Sequence, residues 1–290
     1  MTTEAKVKLV EWFDERFYRL DYEEEGEQKV TYIPSVTTKL GIIAKPFLAH
    51  WRGDIGNREA DLRVWEAGER GTRIHHSWYT LTTGGAVIYQ PYQRPNYTQS
   101  EIDLITSEYV GNVAIVRYQD EMYDIWKLER WLEIVNPVFK ASELTVYSLE
   151  DKDAGTLDNL LEIAEGDYMV NGAKPLHIPG GLYVLDLKSG KFVDYQAFMQ
   201  TAPYANCVKK MGLGEPIGTL ILHTQASTRK GIEGLATILR SKEEMEQDYQ
   251  DYRLASALWE RKNANAKPTI FEFPALITLR KENENGKNVA

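Results

Sequence analysis

The sequence predicts a mixed α/β (α+β) fold in which one mixed sheet is flanked by helices, with helical additions before and after. Three observations carry this expectation. The stripe Met122, Ile125, Trp126, Leu128, Trp131 and Leu132 recurs at helical spacing, and its plain meaning is a core-facing helix. From Glu143 the period changes to short β-branched and aromatic runs at 143–149, 155–164 and 182–188. A helical segment at 194–211 and the apolar run PIGTLILHT at 216–224 follow, giving helix, three strands, helix, strand.

Taken in order, residues 1–32 read as a strand or hairpin with an acidic tip at Glu23-Glu24-Glu25-Gly26-Glu27. Ile33-Pro34-Ser35-Val36-Thr37-Thr38 leads into a helix from about 39 to 51, with Ser35 or Thr37 as its N-cap. A second helix covers about 55–81, with apolar positions Leu62, Trp65, Ile74 and Trp78 and the stretch Gly71-Thr72-Arg73-Ile74-His75-His76 inside it. Residues 84–97, rich in Gly, Pro and Tyr, read as loop, and 99–136 as two helices. A turn-rich insertion fills 166–180. A polar helix at 241–263 opens on a Ser-Lys-Glu-Glu capping pattern, and a strand-like run at 271–279 precedes the polar tail KENENGKNVA. There is no internal repeat or low-complexity linker. The expected organisation is one domain over 1–290, with a core at about 66–225. N-terminal elements (1–65), a helical insertion (99–136) and a C-terminal helix and strand (241–280) are added to it.

Composition bounds the function classes. Apolar residues make up 43% of the 290, enough for a real core, and no stretch approaches the roughly 20 apolar residues of a membrane span. The charged start MTTEAKVKLVEWFDER lacks an apolar signal core, so a cytoplasmic location is expected. The single cysteine, Cys207, excludes an internal disulfide and a cysteine-held iron–sulfur cluster, and its expected place is the core. A net charge of −9 argues against coating nucleic acid by bulk attraction, though not against a local grip on a backbone. Gly212-Leu213-Gly214 precedes a strand instead of opening a helix, so no dinucleotide or phosphate-loop site is expected.

The chemistry lies in Asp186-Leu187-Lys188, where strand alternation puts an acid and an amine on one face, and in Asp158 of Ala154-Gly155-Thr156-Leu157-Asp158. Two carboxylates and a lysine are the minimum set for holding Mg²⁺ and a nucleophilic water against a phosphodiester. Each element alone is common. An Asp-x-Lys is often a solvated ion pair, and a Gly-Thr-x-Asp is often a turn. Gln200 and Tyr204, four apart, share one helix face, which is often plain surface.

As an ordered set, His75, Glu143, Asp158, Asp186-Leu187-Lys188 and Gln200-Thr201-Ala202-Pro203-Tyr204 resemble the PD-(D/E)XK nuclease superfamily. Within it they are most similar to the RecB-like branch that includes phage recombination exonucleases, as is the opening Pro34-Ser35-Val36-Thr37. The resemblance spans about residues 30–225. It implies a restriction-endonuclease-like αβββαβ core, with Asp158, Asp186, the Leu187 carbonyl and His75 as metal ligands. It further implies that Lys188 orients and helps deprotonate the attacking water, while Gln200 and Tyr204 contact the DNA backbone or orient active-site groups. Glu143 either reaches a second metal or braces the sheet. The implied cofactor is Mg²⁺, with Mn²⁺ able to substitute and no iron–sulfur cluster.

The expected function is a Mg²⁺-dependent DNA exonuclease of phage or bacterial recombination and repair, in the host cytoplasm if phage-encoded. Its partners would be a DNA end or single strand and a single-strand annealing or recombination protein, with no membrane. A structure-selective or nicking endonuclease on the same core is the alternative enzyme. A catalytically inactive nucleic-acid-binding or assembly protein is the alternative of another class. The loop at 84–97, with its tyrosines and Arg94, is either a channel wall for unpaired DNA or solvated surface.

Overall fold

A computed structural model of the chain describes residues 5–12, 15–172, 174–226, 234–264 and 266–268. The expected run at 271–279 and the tail at 281–290 lie outside the described residues. The chain opens with strands β1 (Lys6–Trp12), β2 (Glu15–Glu24) and β3 (Glu27–Pro34), which pair in order as an antiparallel sheet. The acidic tip is its hairpin, turning where Glu25 and Gly26 take φ of 54° and 82°.

Ser35 caps the next helix, accepting from the Thr38 N–H at 3.0 Å. The single helix expected over 39–51 is instead two, α1 (Val36–Leu40) and α2 (Pro46–Ile55). Pro46 stands at the first position of α2, where its missing N–H costs nothing, whereas inside a continuous helix it would break the ladder. Helix α3 (Asn57–Thr82) matches the expectation. The segment expected as loop contains strand β4 (Ala86–Tyr89), and the two expected helices, α4 (Gln99–Glu108) and α5 (Gln119–Val135), enclose strand β5 (Val113–Val116). These two four-residue strands pair in parallel.

The central sheet uses β6 (Val138–Ser148) and β7 (Asp153–Ile163) and, after a small ladder of β8 (Gly166–Tyr168) with β9 (Leu176–Ile178), β10 (Gly181–Lys188). Helix α6 (Tyr195–Lys210) crosses to β11 (Gly218–His223), and an unforeseen strand, β12 (Ala236–Arg240), precedes helix α7 (Lys242–Lys262). The order is β12-β11-β10-β7-β6, with only β10 and β11 parallel within this sheet. This is a mixed α/β fold with a five-stranded mixed sheet flanked by helices.

Strands β10 and β11 are apolar almost throughout because both of their faces are covered. One face meets Trp78 of α3 and Ile125, Leu128 and Trp131 of α5 through Leu185, Leu187, Leu220 and Leu222. The other meets Met199, Tyr204, Cys207 and Val208 of α6 and Tyr252 of α7 through Val184. Cys207 is fully buried and burial pushes its thiol up, so it fills core as expected. The N-terminal sheet packs Tyr18, Leu20 and Ile33 against Ala154 of β7. Among the described residues, no helix is long and apolar enough to cross a membrane.

Candidate metal centre

The site forms where the central ladder opens. Strands β7 and β10 pair from Gly181–Ile163 as far as Leu185–Asn159, and the next rung would set Asp186 against Asp158. Two like charges facing each other across strands repel, and there the ladder stops. The Leu187 N–H turns to the Asp158 carboxylate instead, donating to Oδ2 at 2.6 Å. On the other flank, β6 and β7 pair at Ser142–Asn159 and Leu144–Leu157, so Glu143 also stands opposite Asp158. Glu143, Asp158 and Asp186 thus share one row across three strands.

Helix α3 brings His75 to this row. Its register is fixed by Trp78, whose indole N–H donates to the buried Asn159 side chain, while Asn159 Nδ2 donates to Ser142 Oγ at 2.9 Å. His75 Nδ1 then lies 3.3 Å from Asp158 Oδ1. His76 points to solvent. Donor atoms of His75, Glu143 and Asp158 all lie within 4.8 Å of one another.

The second half of the site faces α6. The Lys188 ammonium is 2.7 Å from Asp186 Oδ2 and donates to Gln200 Oε1 at 3.0 Å. Gln200 Nε2 donates to Asp186 Oδ1 at 3.2 Å and lies 3.4 Å from the Tyr204 hydroxyl. Asp186 Oδ2 is buried and has no hydrogen-bond partner among the described residues, although the Lys188 ammonium lies 2.7 Å from it. The Tyr204 ring is buried and lies over Gly155, where a Cβ would collide with it. The glycine of the Ala-Gly-Thr-Leu-Asp stretch therefore makes room for Tyr204.

Charge is distributed unevenly over these groups. Burial opposes a charged His75, but the Asp158 carboxylate outweighs it and raises the imidazole to about 9. Burial likewise opposes ionisation of Asp158, yet His75, the Leu187 N–H and Lys188 hold it below the usual carboxylate range. Burial and the Asp158 charge push Asp186 up while Lys188 pulls it down, and with the ammonium 2.7 Å away the geometry supports the ion pair. Lys188 is disfavoured as a cation by burial, but Asp186 more than compensates and raises it. Partial desolvation and Asp158 raise Glu143.

The donor set fits a divalent ion. One imidazole and two carboxylates converge, with a third carboxylate in the row that carries an oxygen without a hydrogen-bond partner among the described residues. This grouping differs from the expected ligand set. Glu143, whose role stood open between ligand and brace, groups with His75 and Asp158, whereas Asp186 is engaged by Lys188 and Gln200. Leu187 meets the site through its amide. Gln200, expected to contact the DNA backbone or to orient active-site groups, bridges Asp186 and Lys188, and the Tyr204 ring is buried.

No family model matches this chain, and no curated protein matches it.

Two contributors were not apparent from sequence. Asn159 locks α3 to β6 and β7, and its signal was a polar side chain inside the strand run Asp158-Asn159-Leu160-Leu161. Arg16 of β2, paired with Glu11 at 2.7 Å, offsets by its charge a part of the rise that burial and Asp158 impose on Glu143, and nothing in the sequence links positions so distant.

Proposed function

We propose that this chain is a Mg²⁺-dependent deoxyribonuclease, an exonuclease on the restriction-endonuclease-like αβββαβ core of the RecB-like PD-(D/E)XK enzymes. The observation that carries this reading is the acid row Glu143–Asp158–Asp186 at an opened ladder, with His75 on one side and Lys188 on the other. Structural ion pairs have no physical reason to gather three carboxylates in one row, whereas a divalent ion needs them.

His75, Glu143 and Asp158 would hold the ion, with Asp186 beside them. When bound, it neutralises charge on the scissile phosphate and lowers the pKa of an attacking water. Lys188 is fixed as a cation by Asp186 and Gln200, so it contributes charge and a donated hydrogen bond to that water. Gln200 holds Lys188 and Asp186 in mutual register, and Tyr204 backs Gln200. Asp158 keeps the imidazole of His75 turned toward the row.

The test is digestion of end-labelled linear duplex beside covalently closed circles with Mg²⁺. Progressive loss of linear DNA, survival of circles, and abolition by EDTA or Asp186→Asn are expected. Linearised circles would move the protein to the endonuclease class. If a folded chain cleaves neither substrate, the nuclease reading fails and a binding module replaces it.

A further inference from the structure

The first half of α5 and the segments beside it carry an exposed aromatic surface that the metal centre does not use. Tyr123 and Trp126 stack with centroids 5.6 Å apart at 28°, and Tyr92 meets Tyr118 edge-on at 6.4 Å. Their exposures are 45%, 38%, 71% and 47%, high for rings that would gain by burial. They cannot turn inward, because the opposite face of α5 is already committed to the core through Ile125, Leu128 and Trp131.

Cations lie on these rings. The Arg130 guanidinium is 5.3 Å from the Trp126 ring and Arg117 is 5.1 Å from Tyr92. Among the described residues, neither has a carboxylate within ion-pair distance; Arg117 donates to the Gln90 carbonyl at 2.9 Å. Several of the nearby acids are paired, whereas Glu129 and Glu133 share the helix with Arg130, whose charge acts on Glu129. Asp120 and Asp124 pair with Arg70, Asp124 also with Lys127, and Glu121 with Arg73. The surface therefore presents rings with two guanidinium groups on them, Arg117 on Tyr92 and Arg130 on Trp126, the latter beside Glu129.

One residue also ties the helix of this surface to the strand end that carries Lys188. Arg70, which holds α5 through Asp120 and Asp124, donates to the carbonyl of Ser189, the residue after Lys188.

We propose that this surface binds a single-stranded DNA segment, taking its ligand class from the nuclease reading. Unpaired bases stack on the rings of Tyr92, Tyr118, Tyr123 and Trp126, and phosphates meet Arg117 and Arg130. A duplex has no free base faces, and a chain of net charge −9 with only two guanidinium groups on these rings offers no track for one. Aromatic and Arg side chains also anchor protein partners, and the measurement separates the two.

The experiment titrates the full chain, in EDTA, against a labelled oligothymidylate long enough to cover ~16 nucleotides. Tyr123→Ala and Trp126→Ala are each expected to weaken binding about tenfold, while Tyr123→Phe, which keeps the ring, binds normally. Arg130→Gln should lower the slope of log affinity against log salt by about one. Unchanged melting temperatures show that the variants fold, as exposed rings allow. Normal binding by the Tyr123→Ala/Trp126→Ala double variant overturns the proposal. So does failure of the unaltered chain to bind, the result expected if the rings serve a protein. Cleavage is scored separately: ring-dependent binding without cleavage overturns the nuclease reading alone, and cleavage with ring-independent binding overturns this surface alone.

Discussion

At the scale of single residues, the site sets protons against metal. His75, raised to about 9 by Asp158, is protonated at neutral pH and must lose that proton to serve as a ligand. Metal affinity should therefore rise with pH, by about tenfold per unit below the raised pKa, and level off above it. Calorimetric titration with Mn²⁺ from pH 6 to 10 measures the slope. His75→Ala should flatten it, while the exposed His76→Ala should leave it intact. Glu143 makes a second prediction. Its φ of 50° is a left-handed conformation that costs a side-chain-bearing residue about 1–2 kcal/mol, and Asp158 adds repulsion. Glu143→Gly should raise the metal-free unfolding free energy by roughly 1 kcal/mol and weaken metal binding. A less stable variant with unchanged metal affinity would remove Glu143 from the ligand set.

At the scale of elements, the close pass of α6 over β7 is tested at Gly155. Gly155→Ala should cost about 1–3 kcal/mol in urea unfolding, because the new methyl group meets the Tyr204 ring. In a Tyr204→Ala background that cost should vanish, and additive costs would show that the ring is not what the glycine accommodates. The same elements mark what the sequence could disclose. Strands β6, β7, β10 and β11 and helices α3, α5, α6 and α7 were legible because each has enough residues to show a period. Strands β4, β5 and β12, of four or five residues, do not, and Pro46 divides a helix whose apolar pattern runs on. Of the site, Asp158, Asp186, Lys188 and His75 were legible as residue types in order. Their convergence was not, because register places Glu143 and Asp186 beside Asp158, and a slip of one residue would turn each side chain to the other face. The left-handed turn at Glu143 has no signature in its own side chain, so the sequence left its role open between ligand and brace.

At the scale of the whole molecule, a buried charge joins two helices far apart in sequence, α1 and α7, to the sheet that carries the site. Lys39 of α1 is fully buried, and its ammonium donates to Asp153 Oδ1 and Glu260 Oε1, each at 3.0 Å, and to Ser256 Oγ at 3.1 Å. Tyr252 of α7 donates to the same Asp153 oxygen at 2.6 Å. Asp153 opens β7, the strand that carries Asp158, so α1 and α7 are both tied to the strand at the centre of the candidate site. Lys39→Met should preserve the volume and leave Asp153 buried without its main cation, at a cost of about 3–5 kcal/mol. Arg253, 3.7 Å from Asp153 Oδ2, keeps some compensation and should hold the loss near the lower figure. Adding Asp153→Asn removes the stranded charge while keeping an acceptor for Tyr252, so the double variant should recover part of the loss. Urea-unfolding free energies of the two single variants and the double variant measure this coupling. A Lys39→Met loss below about 1 kcal/mol, the range of an exposed pair, would mean that water reaches Asp153 and that this cluster does not fasten α1 and α7 to β7.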